Sequence, residues 1–136
     1  MDTVSQLVGL VMFEGAQRYP LRATLAYDRN EPHEVRLLFP AGLEYLDMAL
    51  ARELLAGGVT RNATFGGTRV WLADGDHGVV CIGWTGPVGE ARLEAPAASV
   101  ACFLDITYSL VPEGDEPPRT DVDDVIAAIL ANGGAR

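Results

Sequence analysis

The sequence contains no lysine: all ten basic residues are arginines, set against nineteen acidic ones. That absence excludes a P-loop lysine, a Schiff-base lysine and a pyridoxal-phosphate anchor together. The resulting net charge of -9 and pI near 4.5 oppose binding to phosphate backbones, which needs clustered cations. Serine is scarce as well. Ser5, Ser99 and Ser109 are the only three, and none sits in a nucleophile-elbow context. Two cysteines, Cys81 and Cys102, allow at most one bridge, and the apolar runs around both read as buried, reduced thiols. No Arg or His lies beside either in sequence to lower a thiol pKa. No apolar stretch reaches the roughly 18 residues of a membrane span, and the start, opening with Asp2, lacks the basic region of a secretory signal. The expected location is the cytoplasm.

What is present is ordinary globular material. A chain of 136 residues, 49% hydrophobic and 21% charged, has enough for one core and little for a second. Leu7 to Phe13 is an apolar run broken by Gly9. Leu21 to Tyr27 alternates, with Leu21, Ala23, Leu25 and Tyr27 on one face. After the turn chemistry of Asp28 to Pro32, Val35, Leu37 and Phe39 mark a strand expected to pair with the preceding one. Leu46, Met48 and Leu50 share a face of the next strand, followed by the helix formers Ala51 to Ala56; Gly57, Gly58 and Val59 fit a glycine helix stop. Three further strands are predicted at Thr68 to Leu72, Val79 to Thr85 and Glu90 to Glu94, joined by short turns that require antiparallel pairing. Pro96 then opens a helix, in which Val100, Phe103, Leu104, Thr107, Tyr108 and Val111 form one face over the sheet.

From Pro112 the composition changes. Residues 113–124 hold six acids against Arg119 alone, a net of -5 within the total of -9. We read 1–112 as a β-rich unit with its covering helix. Residues 113–136 read as an acidic linker and a helix of the same domain, capped at Thr120 and striped by Val122, Val125, Ile126, Ile129 and Leu130.

Candidate chemistry is sparse. Asp74, Asp76 and His77 put two carboxylates and an imidazole within four residues, but Thr85 stands where a calcium loop needs its last glutamate, so a hairpin turn is the better reading. His33, beside Pro32, has no nucleophile next to it. The run Gly83 to Gly89 has the wrong spacing for a nucleotide fingerprint and a proline where a helix should open. No metal, cofactor or catalytic residue is expected. Trp71 and Trp84 lie in strands whose facing is open, each a core residue or a partner-facing aromatic. The sites left for recognition are the helix bearing Arg52 and Glu53, the turn of Asp74, Asp76 and His77, and Trp71.

Several blocks then become recognisable. Arg69-Val70-Trp71-Leu72, Val79-Val80-Cys81-Ile82 and Pro87 to Pro96 resemble the central signature of the SsgA-like sporulation and cell-division proteins of actinomycetes. Ala51 to Val59 resembles that family's Ala-Arg-Asp-Leu-Leu block. Met48 and Leu50 stand where many members carry Trp and Phe, Leu72 replaces a usual Pro, and Thr85-Gly86 replaces a Ser pair, which leaves an SsgB-type protein and a divergent paralogue both open. The resemblance implies an α+β fold: a strongly bent antiparallel sheet of about seven strands covered by C-terminal helices, similar to the Whirly single-stranded-DNA-binding proteins, and a homotrimer. It implies a non-enzymatic adaptor that helps choose septum sites and brings the tubulin-like protein FtsZ to them. The implied partners are FtsZ and other division or sporulation proteins, SsgA-type ones included, with membrane contact only through a partner. The alternative it carries is a regulator that binds single-stranded nucleic acid.

Overall fold

The computed structural model describes residues 2–41, 43–73, 78–86 and 89–116. The helix expected after Thr120, and the Asp74, Asp76 and His77 turn, lie outside the described residues. Eight strands form one antiparallel sheet: β1 (Thr3–Glu14), β2 (Gln17–Asp28), β3 (Glu34–Ala41), β4 (Glu44–Ala51), β5 (Asn62–Phe65), β6 (Thr68–Leu72), β7 (Val79–Gly86) and β8 (Gly89–Pro96). Their order is β4-β3-β2-β1-β8-β7-β6-β5, so two four-stranded meanders are joined where the first strand pairs with the last. Helix α1 (Arg52–Thr60) connects β4 to β5, and α2 (Ala97–Leu110) follows β8.

This connectivity dictates curvature. β4 and β5 are the two outermost strands, and eight flat strands spaced about 4.8 Å would hold them about 34 Å apart. The nine residues of α1 span only about 14 Å. The sheet therefore curls until a short helix can reach from edge to edge, and the expectation of a bent antiparallel α+β sheet holds. Alternation along the strands decides what the helices cover. Val8 and Leu10 of β1, Ala23, Leu25 and Tyr27 of β2, and Val35, Leu37 and Phe39 of β3 are all buried on one face. Val70, Val80, Ile82 and Leu93 continue that face, and Val100, Phe103, Leu104 and Thr107 of α2 close over it.

Two expectations need correction. Gly57 and Gly58 do not stop α1, which continues to Thr60. Gly58 is there for close approach: a Cβ on it would lie 2.0 Å from Val70 Cγ1 and 2.9 Å from the Val70 carbonyl carbon. The eighth strand, β5, was not expected from its sequence Asn-Ala-Thr-Phe, and it pairs only with β6.

Gly58→Ala should accordingly lift α1 from β6 and lower the unfolding free energy by about 1–3 kcal/mol in urea denaturation. Gly9→Ala, where an added Cβ meets nothing within 4 Å, serves as the control and should change it far less.

Candidate docking surface

Neither helix has a side-chain cap; backbone carbonyls take that role. The Arg52 N–H donates to the His33 carbonyl at 2.8 Å, and the Ala97 N–H to the Gly78 carbonyl at 2.7 Å. The first of these fixes Arg52 at the mouth of the core, and its side chain turns inward, only 2% exposed. Its Nη1 donates to the carbonyls of Thr107 (3.1 Å) and Val111 (2.8 Å), and its Nη2 to Glu116 Oε1 (2.7 Å). The guanidinium stacks 4.0 Å from the Tyr108 ring centroid, with Tyr27 at 5.1 Å. Glu116 Oε1 also accepts the Gly114 N–H, and the Tyr27 hydroxyl donates to the Pro32 carbonyl. One cation thus ties β2, α1, the end of α2 and the following turn together. Arg52 was expected to face a partner; the structure instead leaves it 2% exposed, with Nη1 and Nη2 bonded inside the chain.

The neighbouring Glu53 is exposed, as an interaction role requires. It lines an open groove of about 790 Å³ beside α1 together with His33, Leu54, Phe65, Glu113 and Glu116. Phe65, at the end of edge strand β5, is 76% exposed, in the same groove as the carboxylates of Glu53, Glu113 and Glu116. Sequence reading missed Phe65 because β5 itself was missed.

Trp71 faces the other way. Val70, next to it along β6, points at the helices, so Trp71 and Arg69 stand on the opposite, outer face, with the Arg69 guanidinium 4.4 Å from the Trp71 ring centroid. The ring covers Gly83, where a Cβ would sit 3.0 Å from it. Trp84 packs against the core. Cys81, paired with Trp71, is buried and Cys102 is exposed on α2, which corrects the expectation that both are buried; no disulfide joins them. Among the described residues no three of His, Cys, Asp and Glu gather closely enough to hold a metal ion, and no helix is long and apolar enough to cross a membrane.

The sequence profile described as "Streptomyces sporulation and cell division protein, SsgA" matches residues 21–116, about the whole span from β2 to the turn that Arg52 holds. The chain belongs to the SsgA family. Relatives named sporulation-specific cell division protein SsgB are 41% identical over 114 residues in Streptomyces coelicolor, covering 82% of this chain and 83% of that one. In Frankia casuarinae the figure is 34% over 138 residues, covering 99% and 96%. Among solved structures, the SsgA-like sporulation-specific cell division protein of Thermobifida fusca superposes with a TM-score of 0.78 at 36% identity, covering 93% of this chain and 94% of that one. SsgB of Streptomyces coelicolor, in a study relating its mutations to longitudinal cell division during sporulation, gives 0.75 at 38% identity, over 84% and 92%. The SsgA-family block Ala51 to Val59 thus coincides with the helix whose arginine anchors the fold and whose glycine seats it on β6.

Two measurements follow from the Arg52 cluster. Arg52→Ala should cost about 3 kcal/mol or more of stability, since it removes a buried cation and strands two buried carbonyls; Arg52→Lys should restore only part, having neither the planar fork nor the stacking face. Urea denaturation reads both. Burial raises the hydroxyl pKa of Tyr27 and of Tyr108, in each case against a lowering by Arg52. The folded chain then keeps these protons at a pH where the unfolded chain, near the ordinary value of 10.0, has lost them. Stability should fall as pH rises from about 10 through the raised folded values, and the Tyr27→Phe, Tyr108→Phe double variant should flatten that fall.

Proposed function

We propose that this chain is a non-enzymatic adaptor of sporulation-specific cell division, acting in the cytoplasm at division septa, where it helps select the septum site and brings FtsZ to it. The observation that carries this reading is the match over residues 21–116 to a family named for sporulation and cell division. The groove beside α1 supports it. An exposed phenylalanine that shares a groove with Glu53 and Glu113 offers an apolar anchor with orienting charges nearby, the arrangement by which a protein surface gains both energy and register. We take the adaptor to be a homotrimer. β4 and β5 leave open edges, and Tyr45 and Leu46 on β4 are exposed apolar groups of the kind that assembly covers.

Cosedimentation with FtsZ polymers tests the proposal, using protein whose mass by light scattering is three times 14.5 kDa. The wild-type chain should pellet with the polymers, and Phe65→Ser and Glu53→Arg should each reduce the pelleted amount several-fold, with unfolding midpoints near that of the wild type. A chain of correct fold that never pellets with FtsZ, or variants that pellet equally, would count against it.

A further inference from the structure

The outer face of the sheet carries a second site. Strand register places Arg18, Phe13, Arg92, Gly83 and Arg69 side by side in one row across β2, β1, β8, β7 and β6. At about 4.8 Å per strand the row is about 19 Å long. The Phe13 ring lies between two guanidiniums, with Arg92 at 4.5 Å and Arg18 at 6.0 Å from its centroid. Gly83 leaves a gap in the row into which the Trp71 ring folds, and Trp71 in turn carries Arg69. Phe13, Arg69, Trp71, Gly83 and Arg92 wall a groove of about 490 Å³, which Glu90 also lines, and Arg18 stands at the end of the row.

The charges here are unusual for this chain. Against a net charge of -9, three arginines share one row; Glu90 and Glu94 lie beside them. Arg92 Nη2 meets Glu94 at 3.4 Å and Arg69 Nε donates to Asn62 Oδ1, but among the described residues no carboxylate pairs with Arg18 or Arg69. Arg92 Nε is buried and has no hydrogen-bond acceptor among the described residues. The Arg92 side chain is nonetheless 44% exposed, so a ligand in the groove reaches it through its terminal nitrogens and not through Nε. Stacking on Phe13 and Trp71 holds the guanidinium planes in place, and the exposed N–H groups not taken by Glu94 or Asn62 are left for a planar anion.

The geometry points to an acidic peptide segment, extended across the row, as the occupant: its carboxylates meet Arg18, Arg69 and Arg92, and its apolar side chains lie against the partly exposed rims of the Phe13 and Trp71 rings. About six extended residues cover the row. A single-stranded nucleic acid fits less well. Bases need free aromatic faces, whereas Trp71 is occupied by Arg69 on one side and by Gly83 on the other. The inference rests on the docking reading above only in taking the occupant to be a protein, and its test contains no FtsZ, so the two can fail separately.

The test is fluorescence anisotropy with the full chain at low salt and a fluorescein-labelled peptide of alternating Asp and Leu. This probe should bind, weaken as salt rises, and bind about tenfold more weakly to Arg69→Gln and to Arg92→Gln. The matching Lys–Leu peptide and a labelled oligothymidylate should not bind. Arg36→Gln is the control: Glu31, Glu34 and Asp47 already surround that arginine, so the probe's affinity should stay unchanged. Should Arg92→Gln fail to fold, the exposed Arg69→Gln decides alone. No binding of the Asp–Leu probe, or equal binding by the arginine variants, overturns the assignment. Oligothymidylate binding that the same variants abolish would overturn it in favour of a nucleic-acid surface.

Discussion

Burying one guanidinium organises this molecule. α1 has no side-chain cap and only nine residues, yet it must span the two ends of an eight-stranded sheet. Packing of Leu54 and Leu55 holds its middle, but its first turn sits where the sheet, α2 and the acidic turn after Val111 converge. Arg52 fills that junction. A buried cation is tolerated only when nearly all its donors are matched, and here two carbonyls and a carboxylate accept while two tyrosine rings enclose the plane. A lysine would present a point charge to a site shaped for a flat fork. The cost of desolvation is offset by specificity: few other placements of α1 and α2 would satisfy this group.

That dependence explains why the strands were legible in the sequence and the junction was not. Period-2 alternation at Leu21 to Tyr27 and at Val35 to Phe39 records a sheet with one covered face, which is a local property. The face of α2, from Val100 to Thr107, is legible for the same reason. The burial of Arg52 follows from contacts with residues more than fifty positions away, which no local pattern contains. Gly57 and Gly58 look like a stop signal because glycine usually ends helices; here the need to seat α1 on Val70 outweighs the propensity. β5 is short, polar and at an edge, where strands carry the weakest pattern. Cys102 sits in an apolar run, but its position on α2 turns it outward. On the candidate surfaces, Glu53 and Trp71 were named from the sequence, whereas Phe65, Phe13 and the arginine row emerge only when strands distant in sequence are set in register.

The two faces of the sheet differ in charge. Glu53, Glu113 and Glu116 gather beside α1 around the buried Arg52, while Arg18, Arg69 and Arg92 stand in register on the outer face, with Glu90 and Glu94 beside them. A net charge of -9 spread evenly would make every surface repel an acidic partner at long range. Segregation permits a local cationic row on an acidic protein. Screening over about 8 Å at physiological salt lets a docked segment experience that row rather than the total.

β6 joins these surfaces mechanically. Its alternate residues serve opposite sides: Val70 lies under Gly58 of α1, while Arg69 and Trp71 stand on the outer face. Close packing leaves no slack at Gly58, so a displacement of α1 by a fraction of an ångström must be taken up by β6. The strand cannot shift Val70 without moving the two residues that wall the arginine groove. The spacing of Arg69 and Trp71 from Arg92 is set by the ladder of β6, β7 and β8, and a row of donors reads a ligand only while that ladder is held. Arg52 supports it from the inner side, by seating α1 on the Val70 of the same strand.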